Sequence, residues 1–62
     1  MKRGDIVEVR DFRGRRLRRV MWERFNTSIV VCTESEYEEW GQSDREPKVV
    51  GYPLEDVFPL EE

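Results

Sequence analysis

The sequence predicts a mostly β fold: a small, five-stranded, partly open barrel with one short helix. Short β-branched and aromatic runs recur along the 62-residue chain, and Gly, Pro, Asn and Asp separate them. Such short bounded runs are typical of strands. A chain of this length is expected to form one domain, residues 1–62, whose thin core leaves little room for a deep substrate pocket.

The first and third strands are the clearest. Residues 6–10 form strand one, in which Val7 and Val9 alternate onto the core face. The turn after it contains Gly14, which can adopt a positive φ at no steric cost. Residues 29–32 form strand three, and their continuous β-branched run indicates a central position in the sheet.

Strand two, residues 15–24, alternates imperfectly. Its apolar side chains fall on both faces, with Val20 and Trp22 on one and Leu17 on the other. A β-bulge near residues 18–19 would bring all three inward. We expect this bulge because the five arginines of the strand argue against burial of both faces.

The helix is predicted to begin with a capping box. Thr33 is the expected N-cap, Glu36 is the third helical residue, and Gly41 ends the helix. Tyr37 and Trp40 are three residues apart and therefore share its buried face.

Two short strands follow the helix. Residues 48–52 form strand four, Pro53 ends it, and residues 54–56 form one 3₁₀ turn. The last strand begins at residues 57–58, and Pro59 restricts it to an edge or an end of the sheet.

Two stretches resemble SH3-like barrels: Gly4-Asp5-x-Val7-x-Val9 and Pro53-Leu54-Glu55-Asp56-Val57. Residues 19–23, 31–32 and 50–57 also look like small uncharacterised bacterial proteins, which imply no activity. The scaffold also resembles that of type II dihydrofolate reductase, whose active strand, Val-Gln-Ile-Tyr followed by proline, would align with residues 49–53. Here Val50 and Gly51 replace the glutamine and isoleucine, so the similarity implies a scaffold and not reductase activity.

Opposite charges are concentrated in opposite halves of the chain. Residues 1–24 carry nine basic and four acidic residues, a net +5, whereas residues 25–62 carry two basic and ten acidic residues, a net −8. The arginines of residues 10–24 have three interpretations: pairing with the chain's own carboxylates, contact with a nucleic-acid backbone, or protein docking. The total of −3 argues against nucleic acid, since such modules are usually basic.

The expected function is that of a non-enzymatic binding or accessory module with a protein partner. The alternative is nucleic-acid backbone binding through residues 10–24, and self-association stays open. The candidate partner-binding residues are Arg13, Arg15, Arg16, Arg18, Arg19, Arg24 and Tyr52. Tyr52, beside Pro53, is expected as a surface ring, whereas Trp22 and Trp40 are expected in the core.

No catalytic residue, metal site or cofactor is predicted. The chain has no histidine and one cysteine, Cys32, which is expected inside strand three and cannot form an internal disulfide. Together with the absence of a signal-peptide pattern, this favours a cytoplasmic protein. The longest apolar run, residues 29–32, is far too short to cross a bilayer, so no membrane partner is expected.

Overall fold

A computed structural model describes residues 2–60 as one antiparallel sheet with a helix and a 3₁₀ turn. In chain order the elements are β1 (Ile6–Arg10), β2 (Arg16–Arg24), β3 (Ser28–Cys32), α1 (Glu34–Ser43), β4 (Val50–Pro53), the 3₁₀ turn (Leu54–Asp56) and β5 (Val57–Pro59). The strand order is β4-β3-β2-β1-β5, so the sheet ends in β4 and β5 and is not closed. The predicted mostly β class, with five strands and one helix in a partly open barrel, is confirmed.

One face of the sheet carries the hydrophobic core. Val9 is fully buried on this face, where it pairs with Leu17 on one side and with Val57 on the other. The core consists of Val7, Val9, Met21, Ile29, Val31 and Val57, with Leu17 and Tyr52 packed against it. We call this side the core face and the other side the outer face.

Strand β2 is buried on both faces at its C-terminal half. The consecutive residues Val20 and Met21 are only 2% and 3% exposed. Met21 pairs with Val31 on the core face, whereas Val20 pairs with Cys32 on the outer face. The expectation that the arginines of β2 would prevent burial on both faces is therefore wrong, because the arginines and the doubly buried residues occupy different parts of the strand.

The predicted β-bulge exists but lies further along β2. The register with β3 shifts between Met21 and Glu23, so the extra residue is Trp22 and not residues 18–19. Residues 18–19 need no bulge, because Val20 and Trp22 do not have to turn towards the core face. The helix covers them on the outer face instead.

An aromatic cluster forms this covering. The Trp22 and Trp40 rings meet edge to face with centroids 5.0 Å apart, and Tyr37 lies 5.6 Å from Trp40. The Arg3 guanidinium lies 4.3 Å from the Trp22 ring centre and closes the other side of the indole. Both tryptophans are half-buried in this second layer and do not belong to the main core.

Helix α1 begins as predicted and ends later. The backbone N–H of Glu36 donates to Oγ1 of the N-cap Thr33 at 3.2 Å. The helix continues past Gly41 until Asp44, whose N–H donates to the Trp40 carbonyl at 2.8 Å and whose φ is 58°. Aspartate tolerates this left-handed conformation, so a glycine is not required there.

Strand β4 begins at Val50, two positions after the predicted start at Lys48. The reason is local: the Lys48 N–H donates to Glu36 Oε2 at 2.7 Å and so binds the helix side chain in place of a neighbouring strand. Within residues 2–60, no helix is long and apolar enough to span a membrane.

Candidate functional site

The predicted arginines do not form one basic surface. Side chains alternate along β2, so Arg16 and Arg18 project on the outer face, whereas Arg19 pairs with Val7 on the core face. Arg24 lies at the far end of the strand, beyond the bulge and opposite Ile29. The arginines are close together in the sequence, but the fold distributes them over three separate places.

The turn between β1 and β2 is organised by Asp11. Its Oδ1 accepts hydrogen bonds from the backbone N–H groups of Arg13 and Arg15, both at 2.9 Å. Phe12, at the tip, is 93% exposed, and the Arg13 guanidinium lies 5.4 Å from its ring centre. Gly14 adopts a φ of 81°, as the sequence predicts for this turn.

Ion pairs connect the basic and acidic halves of the chain. Arg18 Nε lies 3.0 Å from Glu34 Oε1 at the start of α1, and Arg10 Nη2 lies 2.7 Å from Asp56 Oδ1 in the 3₁₀ turn. The interpretation that the arginines pair with the chain's own carboxylates is confirmed for these contacts. The side chains of Arg10 and Arg18 nevertheless remain about half exposed.

Two arginines on the outer face approach the same aromatic ring. Arg10 and Arg16 are opposite each other on β1 and β2. Their guanidinium groups lie 5.7 Å and 4.0 Å from the ring centre of Phe58. Arg16 Nη1 is also 3.7 Å from Glu8 Oε1, a long and weak ion pair. Cation–π contacts therefore position Arg16 while its charged end stays accessible to solvent.

Tyr52 is half-buried on the core face, where it pairs with Ile29 and packs against the core. It is therefore part of the packing and not the freely projecting ring that its position beside Pro53 suggests. The sheet also separates Tyr52 from the cluster of Trp22, Tyr37 and Trp40, so these four rings do not form one aromatic groove.

The first half of β2 has a neighbour on one side only. The pairing of β2 with β3 begins at Val20 and Cys32, whereas its pairing with β1 extends to Arg16. Residues 16–19 therefore form a strand edge that no other strand covers in the part of the chain that the structure describes. We call residues 16–19 the β2 edge.

The backbone direction at the β2 edge follows from the ladder. Hydrogen-bonded and non-hydrogen-bonded pairs alternate in an antiparallel pair. The Asp11 N–H donates to the Arg15 carbonyl at 2.9 Å, and in this register Leu17 and Arg19 point their backbone groups towards β1. The N–H and C=O groups of Arg16 and Arg18 consequently point away from β1, towards solvent.

The β2 edge is protected less than the edge formed by β5. The Val57 N–H donates to the Leu54 carbonyl, and Pro59 has no N–H to offer, so β5 presents few free donors. At the β2 edge, Arg19 Nη1 donates to the Arg18 carbonyl at 2.7 Å. Among the described residues, no turn, loop or side-chain hydrogen bond involves the N–H of Arg16 or of Arg18.

The single thiol belongs to Cys32, which lies just beyond the β2 edge, where it pairs with Val20. Burial raises the pKa of the Cys32 thiol, and the nearby Glu36 carboxylate raises it further. A raised pKa leaves little thiolate at neutral pH, which makes the thiol a poor nucleophile. Residues 2–60 contain no group of three or more His, Cys, Asp or Glu side chains placed to hold a metal ion.

Comparison of the chain with protein-family models, with curated proteins and with solved structures yields no match. The functional argument therefore depends on the β2 edge and its surroundings. Sequence patterns could indicate the arginines but not the edge, because its exposure depends on where the pairing with β3 stops. The neighbours of Arg16 were also missed: Glu8 reaches it through the pairing of β1 with β2, and Phe58 reaches it only when β5 pairs with β1.

Proposed function

We propose that this protein is a non-enzymatic, SH3-like binding module that holds an extended segment of a partner protein along the β2 edge. The observation that supports this proposal is the one-sided pairing of residues 16–19, which leaves the backbone groups of Arg16 and Arg18 directed outward. An added strand would supply main-chain acceptors to the N–H groups of Arg16 and Arg18, as in other cases of β-strand addition, and would compete with the Arg19 side chain for the Arg18 carbonyl. The five antiparallel strands and the 3₁₀ turn before β5 support the SH3-like assignment.

The side chains around the edge favour a partner with a particular alternation. Arg16 and Arg18 project on the outer face, so partner residues opposite them would be acidic. Leu17 is half-buried on the core face between them, so the partner residue opposite it would be apolar. The preferred segment therefore reads acidic, apolar, acidic.

The ion pairs that Arg16 and Arg18 already form do not prevent them from binding acidic partner residues. The Arg18 side chain is 62% exposed beside Glu34, and the Arg16 side chain is 56% exposed beside Glu8. Exposed pairs of this kind contribute only about 0–1 kcal/mol each, so an incoming carboxylate competes with them at little cost.

Nucleic acid is the weaker alternative. The arginines lie on both faces of the sheet, several are paired with carboxylates, and the net charge is −3. A phosphate backbone needs a continuous positive surface, and its binding falls steeply with salt. The exposed Phe12 beside Arg13 is the feature that this alternative would use for base stacking.

The test compares a peptide of alternating glutamate and valine with a peptide of alternating lysine and valine. We expect the acidic peptide alone to bind, with changes in the amide resonances of Arg16 and Arg18. The Arg18→Pro variant should lose binding, because proline removes the outward N–H. Arg18→Ala is its matched control, since it also loses the Glu34 ion pair but keeps the N–H.

Equal peptide affinity for folded Arg18→Pro and Arg18→Ala would exclude strand addition at this edge. The same titration with a single-stranded oligonucleotide tests the alternative by fluorescence anisotropy at low and high salt. The decisive variant changes Arg16, Arg18 and Arg19 to glutamate and keeps a native circular dichroism spectrum. If the original chain binds the oligonucleotide with micromolar affinity and this variant does not, the ligand is nucleic acid and not a peptide segment.

A further inference from the structure

Strand β4, at one end of the sheet, presents an uncharged edge. Its residues Val50–Pro53 contain no ionisable group except the Tyr52 phenol, and Val49 precedes them. Val49 is 41% exposed and Val50 is 58% exposed. Natural proteins usually protect such edges with charged side chains, a covering element or a bulge, and among the described residues β4 has only the missing N–H of Pro53.

The ladder shows which groups of β4 are free. The Leu54 N–H donates to the Thr27 carbonyl at 3.4 Å, and pairs alternate from there along β3 and β4. Tyr52 and Val50 therefore point their backbone groups towards β3, whereas Gly51 points its groups outward. A Cβ built on Gly51 would meet no atom within 4 Å, so the space around this residue is open.

We propose that β4 pairs antiparallel with β4 of a second copy of this chain, about a two-fold axis at Gly51. In this register the two Gly51 residues exchange N–H to C=O hydrogen bonds. Each Val49 N–H donates to the Pro53 carbonyl of the other copy, which uses the acceptor that proline retains. The missing N–H of Pro53 falls at the end of the pairing and does not interrupt its centre.

The side chains fit the same register. Val50 of one copy lies opposite Tyr52 of the other in a non-hydrogen-bonded pair, where cross-strand side chains approach most closely. The exposed Val50 side chain would then cover the half-buried Tyr52 ring. An aromatic and a β-branched residue form a favourable cross-strand pair.

The absence of charge on β4 favours a second copy of this chain as its pairing partner. A two-fold pairing through β4 places no like charges opposite each other, because Val50–Pro53 has none. A two-fold pairing through the β2 edge would place arginines opposite arginines and is disfavoured. The uncharged edge therefore suits self-association, whereas the basic edge requires an acidic partner.

Sedimentation equilibrium at concentrations up to about 1 mM tests this proposal. We expect a concentration-dependent dimer, weakened about tenfold or more in Val50→Lys because the ammonium group disrupts both symmetric pairs. Val50→Thr is the matched control, since it stays β-branched and uncharged, and its dimer should be near that of the original chain. Protection of the Gly51 amide from exchange should rise with protein concentration.

A chain that stays monomeric over this range would overturn the proposal. Undiminished dimerisation of a Val50→Lys variant with a native circular dichroism spectrum would overturn it as well, because the contact would then lie elsewhere. Arg18→Pro leaves β4 untouched and should dimerise normally, so the β4 contact and the peptide-binding edge can fail independently.

Discussion

Arg10, at the end of β1, is joined to Asp56, in the 3₁₀ turn before β5, through one carboxylate oxygen: Nε and Nη2 of Arg10 donate to Asp56 Oδ1 at 3.0 Å and 2.7 Å. Asp56→Asn should lower the free energy of unfolding by about 0.5–1 kcal/mol, because both partners are partly exposed. Urea denaturation at low and high salt measures this loss, which should shrink as salt screens the pair. Glu55→Gln, in the same 3₁₀ turn, should have a smaller effect, and a loss of equal size would contradict this account.

Alanine substitutions at Gly4 and Gly14 distinguish the cost of backbone strain from the cost of steric overlap. Both have positive φ, 96° and 81°, but only Gly4 meets a neighbour: its Cβ would lie 2.9 Å from the Tyr37 hydroxyl oxygen. Gly14→Ala should cost about 1–2 kcal/mol from the backbone alone. Gly4→Ala should cost more in thermal or urea unfolding. Tyr37→Phe should recover part of the difference in the Gly4→Ala background, and no recovery would mean that the hydroxyl is not responsible.

Trp40 should be important for stability although it lies outside the main core. Trp40→Ala removes the edge-to-face contact with Trp22 and the covering of the outer face, and should cost about 3 kcal/mol. Phe12→Ala is the control, since that ring is 93% exposed and its loss should change stability by less than about 0.5 kcal/mol. Urea denaturation followed by circular dichroism compares the two variants, and similar losses would disprove the covering role.

Cys32 should make the fold less stable in alkaline solution. Burial, followed by the charge of Glu36, raises the pKa of the thiol in the folded state above its unfolded value. The unfolded chain therefore loses its proton first, so the stability is complete below about pH 8.5 and falls as the pH rises through the folded pKa. Cys32→Ala should show a shallower loss of stability from pH 8 to pH 10, and identical slopes would refute the effect.

The local signals in the sequence predicted much of the fold. The N-cap at Thr33, the positive φ at Gly14 and the alternation of Val7 and Val9 each depend on neighbouring residues, so each is readable without the tertiary structure. They predicted the element types and their order along the chain.

The outer layer could not be predicted in the same way. Val20 and Trp22 were expected to turn inward, because the sequence does not show that α1 folds back over the outer face. The β2 edge was hidden for a related reason. The pairing of Val20 with Cys32 sets where β3 stops, and only this long-range register leaves residues 16–19 open.

The pairing of Val9 with Val57 has a consequence for folding kinetics. The β1–β2 and β2–β3 hairpins need only short loops, whereas docking β5 on β1 closes a loop that includes most of the chain. Closure of long loops has a larger entropic cost and delays the contacts that depend on it. We therefore expect the three-stranded meander in the transition state and β5 to dock after it, so that changes at Val57 accelerate unfolding while those at Val20 slow folding.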